Sequence, residues 1–285
     1  MRHLSEVPSA MSHASNDGTI AYAGVLDERV EPRVYRLFLY SLKSEQDVFF
    51  VDCKPSYPYR VALALSSDGE SLAVVVSVPD PSIVDTRSLH RLLVYDTKTR
   101  RVRYSVDGVD PSTPCWYHGS SRLAFVRQMS ELDLLQYSGI VASPGTLVPN
   151  GLHSVLCVLD CDTGAVSVLQ CGAQPLVAPD GSKVWVSWGK ELVCVDGTSG
   201  AILARDVNVP GMLEAGLGIV LDDDRIIYEG LATKGVGGVV NAIGRWTPAR
   251  RWSIKVAQLE TMRFASIVPT FGPGLVRYWK SGVKQ

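Results

Sequence analysis

The feature that most restricts the fold of this chain is a polar turn that recurs just before a short apolar strand. In the clearest example, Asp68-Gly69 precedes the apolar residues 72–76. Turns of this kind begin at Asn16, Ser67, His118, Pro179, Asp222 and Phe271. Because both central residues of an Asp-Gly turn can adopt positive φ, each such turn predicts a tight β-hairpin. Amphipathic helical periodicity is nearly absent, with one short candidate at 130–137.

A second hairpin unit follows several of these turns. A strand ends in Asp, a tight turn with Thr or Ser follows, and another strand begins, as after Asp96, Asp160 and Asp196. The Asp side chain accepts hydrogen bonds from turn amides, and a following glycine adopts the left-handed conformation. Two hairpins of this kind supply four antiparallel strands. We therefore expect the chain to repeat a four-stranded antiparallel unit.

The spacing of the turns gives the period of this repeat. Gly18 and Gly69 are 51 residues apart, and two further repeats separate Gly69 from Gly181 by 112 residues. A four-stranded unit that recurs every ~40–50 residues is typical of a β-propeller blade. The period therefore favours an all-β propeller.

The quoted turns also resemble those of known repeat families. The Asp-Gly turns at Asp68 and Asp180, with their strands, resemble those of WD-repeat and TolB-like propellers. Residues 190–200 are similar to the strand-turn unit of quinoprotein-like repeats. The chain lacks the Trp-Asp and Gly-His pairs of WD repeats and the regular docking tryptophans of quinoprotein blades. The resemblance therefore implies the propeller fold, and it carries over no catalytic or cofactor residue.

The turns predict one domain, 1–285, of six four-stranded blades. The expected blades span 13–53, 62–107, 113–170, 174–207 and 215–257, with an incomplete sixth from about Arg263. We expect both termini to close the ring, with residues before Ser12 supplying the missing outer strand. Seven blades are the alternative, and a two-domain sandwich is the structural runner-up.

Composition sets the broad class of the protein. The chain is 46% hydrophobic and 20% charged, which is enough apolar material for a full core. No apolar run is long enough for a transmembrane helix, and the N-terminus has no apolar leader segment. The six cysteines contain no C-x-x-C pair, so we expect reduced thiols, a cytoplasmic location and no metal site. Motifs for a nucleophile elbow, a phosphate loop or a zinc protease are missing, so no catalytic residue or cofactor is predicted.

Long connections supply the candidate partner-binding residues. With strands running outward through each blade, the connections within 54–60, 79–91 and 127–153 leave from one face. Long loops on a rigid scaffold often carry function, and Tyr and Arg are frequent interface anchors. Solvated loops without a partner are the alternative interpretation. The candidates are Tyr57, Tyr59, Arg60, Asp85, Arg87, His90, Arg91, Arg127, Glu131 and Tyr137.

Positive charge and indoles alternate near the C-terminus. Residues 234–285 contain nine Lys or Arg and one Glu, a net charge of +8, whereas the whole chain has a net charge of -1. This segment is a candidate for binding an acidic partner or nucleic acid. The alternative is a third-to-outer-strand hairpin with its tryptophans packed between blades. The candidate residues are Arg245, Trp246, Arg250, Arg251, Trp252 and Lys255.

Three functions remain open at this point. The leading prediction is a non-catalytic propeller scaffold that binds a protein partner as a subunit of a larger assembly. The first alternative is a hydrolase, lyase or ligand sensor at the mouth of the central channel. The second alternative is a nucleic-acid-associated protein that uses residues 245–255.

Overall fold

The structure is a computed structural model of the 285-residue chain. It describes residues 10–12, 15–25, 34–56, 61–79, 89–129, 132–133, 154–188, 191–206, 217–222, 225–234, 238–246, 253–256, 267–269 and 276–278. From residue 206 onward only the backbone is described. The chain divides into two compact units: unit 1 contains Met1–Gly119 and Met262–Gln285, and unit 2 contains Ser120–Thr261.

Unit 1 contains two four-stranded meanders in which each strand pairs antiparallel with the next. The first, termed M1, consists of β1 (Ala10–Met11), β2 (Thr19–Val25), β3 (Tyr35–Ser41) and β4 (Gln46–Cys53). The second, M2, consists of β5 (Val61–Leu65), β6 (Ser71–Val78), β7 (Leu89–Asp96) and β8 (Val102–Val109). The short β9 (Cys115–Trp116) follows, and β21 (Ile267–Pro269) pairs with β22 (Val276–Tyr278).

Unit 2 continues the same pattern. Its first meander, M3, consists of β10 (Arg122–Gln128), β11 (Ser154–Asp160) and β12 (Val166–Cys171). M4 consists of β13 (Ala173–Val177), β14 (Lys183–Trp188), β15 (Glu191–Asp196) and β16 (Ile202–Asp206). M5 consists of β17 (Leu217–Asp222), β18 (Arg225–Lys234), β19 (Gly238–Trp246) and β20 (Ser253–Val256).

The described strands confirm the all-β prediction and the repeated antiparallel unit. M1, M2, M4 and M5 fall close to the predicted blade bounds. Of the helix expected over 130–137, the structure describes residues 132 and 133, and both are helical. The number of blades and the closure of the ring remain predictions.

The Asp-Gly turns form the expected hairpins, but not for the expected reason. Positive φ occurs at Gly69 (74°) and Gly181 (73°), whereas the preceding aspartates keep negative φ. The aspartates act through their side chains, since the Asp68 carboxylate accepts the Glu70 N–H at 2.9 Å. Each turn therefore needs one left-handed residue and an Asp that bonds forward along the chain.

Burial is greatest in the second strand of the meanders. Seven of the eight residues of β6 are buried, and Trp185 of β14 is 1% exposed. Outer strands are more exposed, as the alternating pattern of β8 shows. A continuous apolar strand is expected where both faces of a sheet are covered. This pattern places the core on the second and third strands and leaves the strand ends for other roles.

Candidate functional site

Within unit 1, the tight turns of M1 and M2 lie side by side. The backbone N–H of Asn16 donates to the carbonyl oxygen of Ser67 at 2.7 Å, which joins the turn before β2 to the turn before β6. The turns 42–45 and 97–101 lie at the same ends of their meanders. These four turns form what we term the turn edge of unit 1. The connections 26–34, 54–60 and 79–88 therefore leave from the opposite ends of the strands, the loop edge.

The turn edge repeats one hydrogen bond in successive meanders. The residue after the strand-ending Asp donates its N–H to a carbonyl oxygen in the turn that precedes the antiparallel neighbour strand. The bonds are Thr97 to Glu70 (3.0 Å) in M2, Cys161 to Ser121 (3.0 Å) in M3 and Gly197 to Ser182 (2.7 Å) in M4. The strand-ending Asp also accepts turn amides in each case, as the sequence predicted.

Two serines bring the loop-edge connections of M2 together. The Ser56 N–H donates to the Ser77 carbonyl oxygen at 2.9 Å, and the Ser77 hydroxyl donates to the Ser56 carbonyl oxygen at 2.5 Å. Ser77 is fully buried in β6, one residue before the strand ends. This reciprocal pair ties the start of the 54–60 connection to the strand end that leads into residues 79–88.

Sequence reasoning missed both serines. Their signal was a serine inside the otherwise apolar stretch 72–78, where every other side chain is Ala, Leu or Val. A buried hydroxyl is normally hydrogen-bonded, so such a serine predicts a nearby carbonyl partner. The partner itself comes from another part of the chain and requires the fold.

Two of the predicted partner-binding residues lie at the start of β7. His90 is 7% exposed and faces Ser77 on one side and Val109 on the other. The Arg91 side chain is partly exposed, and its Nε lies 2.5 Å from the Asp107 Oδ1 across the β7–β8 pair. The hydrogen bond that Arg91 donates to Asp107, together with the charge of Asp107, raises the pKa of Arg91. His90 is thus part of the packed strand, and Arg91 is an ion-paired surface group.

The Arg91–Asp107 pair has an equivalent in M1. Arg36 and Asp52 face each other across β3 and β4, with Nε 3.0 Å from Oδ1. In both meanders the arginine is near the start of the third strand and the Asp near the end of the fourth. Exposed pairs of this kind contribute little to stability, about 0–1 kcal/mol. Because the pair recurs in M1 and M2, positive and negative side chains alternate near the loop edge.

In unit 2, Arg127 lies near the end of β10, just before the long 129–153 connection. Its guanidinium contacts both carboxylate oxygens of Asp133, at 2.9 and 3.2 Å. The hydrogen bonding of Arg127 to the Asp133 carboxylate raises the pKa of Arg127, and Asp133 is 7% exposed. A bidentate pair of this type fixes geometry as well as charge. Arg127 is therefore held by its own chain.

None of the cysteines with a shifted pKa is an activated thiol. None of the six forms a disulfide bond, and five are buried. Burial raises the pKa of Cys53 to about 12 and that of Cys157 to about 11. A protonated thiol is a poor nucleophile and a poor metal ligand. In the described part of the chain, no group of three or more His, Cys, Asp or Glu side chains is placed to hold a metal ion.

The remaining predicted partner-binding residues fall outside the described residues. They are Tyr57, Tyr59, Arg60, Asp85, Arg87, Glu131 and Tyr137. Their role in binding stays a prediction.

For the C-terminal basic segment, the structure supports the hairpin interpretation. β19 and β20 are the third and fourth strands of M5, and Arg245 faces Ser253 across the pair. Trp246 ends β19, and residues 247–252 connect the strands. Nucleic-acid binding by this segment stays a prediction. Among the described residues, no helix has the length and apolar character needed to cross a membrane.

No protein-family model matches the chain, and no curated protein sequence matches it. Solved structures do match. A chain in the crystal structure of the mitotic checkpoint complex is similar over 93% of this chain and 73% of its own length, at 10% identity and a TM-score of 0.54. Together with the repeated antiparallel meanders, this likeness identifies the architecture. The fold is that of a β-propeller.

The propeller fold is shared with proteins of different kinds. The acylaminoacyl peptidase of Pyrococcus horikoshii matches at 10% identity and a TM-score of 0.53, over 95% of this chain and 41% of its own. The β-propeller domain of the trilobed protease from Pyrococcus furiosus matches at 13% identity and a TM-score of 0.47, over 74% of this chain and 60% of its own. This chain thus spans less than two thirds of each of these two chains. At these identities the likeness concerns the fold alone.

Proposed function

We propose that this protein is a non-catalytic propeller module that binds a protein partner through the loop edge of unit 1, as a subunit of a larger assembly. The observation that carries the proposal is the reciprocal hydrogen-bonded pair of Ser56 and Ser77. The pair holds the start of the 54–60 connection against the end of the buried strand β6, where the 79–88 connection begins. A preorganised pair of loops loses less conformational entropy when it binds.

The composition of these connections supports a protein partner. Residues 54–60 contain Tyr57, Tyr59 and Arg60, and residues 79–88 contain Asp85 and Arg87. Tyr and Arg are enriched among the residues that dominate binding energy at protein interfaces. The ion-paired Arg91 and Asp107 border the same edge and supply a polar rim.

The proposal extends to the architecture. We propose a single domain of six blades whose ring is closed by both termini. The two-stranded β21–β22 segment is shorter than a full blade, and residues 262–285 group with the N-terminal residues in one compact unit. A cytoplasmic location also belongs to the proposal and is in line with six cysteines that form no disulfide bond.

Solved structures with this fold include both an assembly and peptidases. The mitotic checkpoint complex is by its name an assembly, which is in line with a partner-binding role. The peptidase likeness is equally good and supports the hydrolase alternative. The two candidate functions differ in one measurable property, which is whether the purified protein turns over a substrate.

The test is affinity capture of the tagged protein from its native lysate at moderate salt, with mass spectrometry of the eluate. We expect a stoichiometric protein that is retained by the unmodified chain. The triple variant Tyr57→Ala, Tyr59→Ala, Arg60→Ala is expected to retain at least tenfold less of it. Lys43→Ala, in an exposed turn at the turn edge, is the matched control and is expected to retain it fully.

Two results would overturn the proposal. One is equal retention of the partner by the triple variant and by the control. The other is the absence of any stoichiometric partner together with hydrolysis of acylated peptide substrates by the purified chain, which would establish the hydrolase alternative.

A further inference from the structure

A short strip of positive charge lies at the turn edge of M2, at the opposite end of this meander from the loops. Arg100, Arg101 and Arg103 fall within four residues, at the end of the 97–101 turn and the start of β8, and all three are exposed. Lys98 precedes them in the same turn. The proposed binding at the loop edge uses none of these residues.

The backbone conformation of Arg100 distinguishes it from the equivalent residues of M3 and M4. Four equivalent turns each place one residue in the left-handed region. These residues are Glu45 (φ 53°), Arg100 (φ 59°), Gly164 (φ 75°) and Gly200 (φ 72°). Glycine adopts this conformation without the steric cost that a Cβ brings. M3 and M4 use glycine here, whereas M2 keeps an arginine.

The surrounding charges leave Arg100 and Arg101 available. The Lys98 ammonium lies 2.5 Å from the Glu70 Oε1, so that lysine is paired. The Asp96 carboxylate accepts the Thr99 N–H at 2.7 Å and the Thr99 hydroxyl at 2.9 Å. Neither Arg100 nor Arg101 forms an ion pair with any residue that the structure describes.

The surface beside the arginines indicates what class of anion fits. Arg103 lies over the Tyr104 ring, 5.7 Å from its centroid, and Val102 is 46% exposed. The charges on either side of the strip are already ion-paired, Lys98 with Glu70 and, further along β8, Asp107 with Arg91. The positive surface between these pairs is therefore short. A short anionic segment that also carries apolar side chains matches both the charge and the Val102–Tyr104 surface.

We propose that Arg100, Arg101 and Arg103 form a docking strip for a short acidic peptide segment of a partner protein. The guanidinium groups of Arg100 and Arg101 bind its carboxylates, since arginine pairs with carboxylates in a planar, two-point geometry. Because the strip is exposed, its affinity falls as added salt screens the charges.

The test uses fluorescence anisotropy with a labelled acidic peptide that alternates Glu with Leu, at about 50 mM salt. We expect Arg100→Gly with Arg101→Gln to weaken its binding at least tenfold. The same variant is expected to melt at the same temperature as the unmodified protein or higher, because glycine relieves the left-handed arginine. Glu45→Gly in M1 is the matched control, with the same backbone relief and no loss of binding.

Three results would overturn the proposal. The first is unchanged binding of the acidic peptide by the double variant. The second is an equal loss of binding in the Glu45→Gly control. The third is a labelled single-stranded oligonucleotide that binds more tightly than the peptide and loses affinity in the same variant, which would assign the strip to nucleic acid. None of these results depends on the loop edge, so a failure here leaves the proposed function standing.

Discussion

The turn edge and the loop edge of these meanders differ in what they repeat. At the turn edge, one backbone hydrogen bond and one Asp-capped turn recur in M2, M3 and M4 with nearly the same distances. At the other ends of the strands, the connections span 79–88 in M2, 129–153 in M3 and 189–190 in M4. They share neither length nor composition. The repeated edge thus maintains the fold, and we propose that the variable edge carries the binding function.

The comparison of the two edges predicts the largest loss of stability when a glycine that recurs in the turns is replaced. In Gly200→Ala the new Cβ would overlap the Leu169 carbonyl oxygen, and the left-handed backbone adds strain. We expect a loss of about 3 kcal/mol or more in the free energy of unfolding. Gly119→Ala has the same backbone strain but open space around the new Cβ, so it is the control, with a loss of about 1–2 kcal/mol. Urea denaturation followed by tryptophan fluorescence compares them, and equal losses would contradict the account.

A smaller effect is expected at Ser77, a loop-edge position that is built into the core. Ser77→Ala removes the hydroxyl donor to the Ser56 carbonyl oxygen. We expect the free energy of unfolding to fall by about 1–2 kcal/mol, with weaker capture of the partner. The exposed Ser105→Ala on β8 is the control and is expected to change neither quantity. If the Ser77→Ala protein is less stable but captures the partner normally, the Ser56–Ser77 pair has no role in binding.

The aspartates of the turns also predict how the stability of the protein depends on pH. Hydrogen bonds from the turn amides and hydroxyls of Thr99, Thr163 and Ser199 lower the pKa of Asp96, Asp160 and Asp196. Groups with a lowered folded pKa stabilise the fold above their unfolded value of about 3.9, and this contribution is lost as the pH falls below it.

We therefore expect the melting temperature to fall steadily when the pH is lowered from about 5 to 3. The triple variant Asp96→Asn, Asp160→Asn, Asp196→Asn is expected to melt lower at pH 7 and to show a shallower fall with acid. Melting curves at half-unit pH steps measure the slope. Identical slopes for the two proteins would show that these turns do not contribute to acid sensitivity.

The smallest effect on stability is expected at the loop edge itself. Surface substitutions away from structural contacts usually change the free energy of unfolding by less than about 0.5 kcal/mol. Asp85→Ala with Arg87→Ala is expected to stay within this range while weakening partner capture. A large loss of stability would show that the 79–88 connection is needed for the fold. That result would contradict the proposed difference between the turn edge and the loop edge.

Much of the fold followed from short-range chemistry in the sequence. The turns at Asp68, Asp180 and Asp196 were predictable because Asp and Gly act on neighbouring backbone groups. The left-handed Arg100 was not predictable, since a glycine rule does not identify a non-glycine residue at the same position. The assumption of two positive φ angles in Asp-Gly turns was wrong for a related reason, because the Asp side chain replaces that requirement.

The candidate site was less predictable than the fold. Ser56 and Ser77 are far apart along the chain, and Arg91 meets Asp107 only after the register of β7 and β8 is set. His90 was expected at a binding surface because of the loop before it, but its place in the strand register buries it. Contacts of this kind depend on tertiary structure, which local patterns do not encode.

The most direct test of the account is hydrogen exchange with mass spectrometry, on the chain alone and bound to its captured partner. We expect peptides that cover residues 54–60 and 79–91 to exchange more slowly in the complex. Peptides that cover the turns at 42–45 and 161–165 should exchange alike in both states. Slower exchange at those turns, with none at 54–60 and 79–91, would contradict binding at the loop edge.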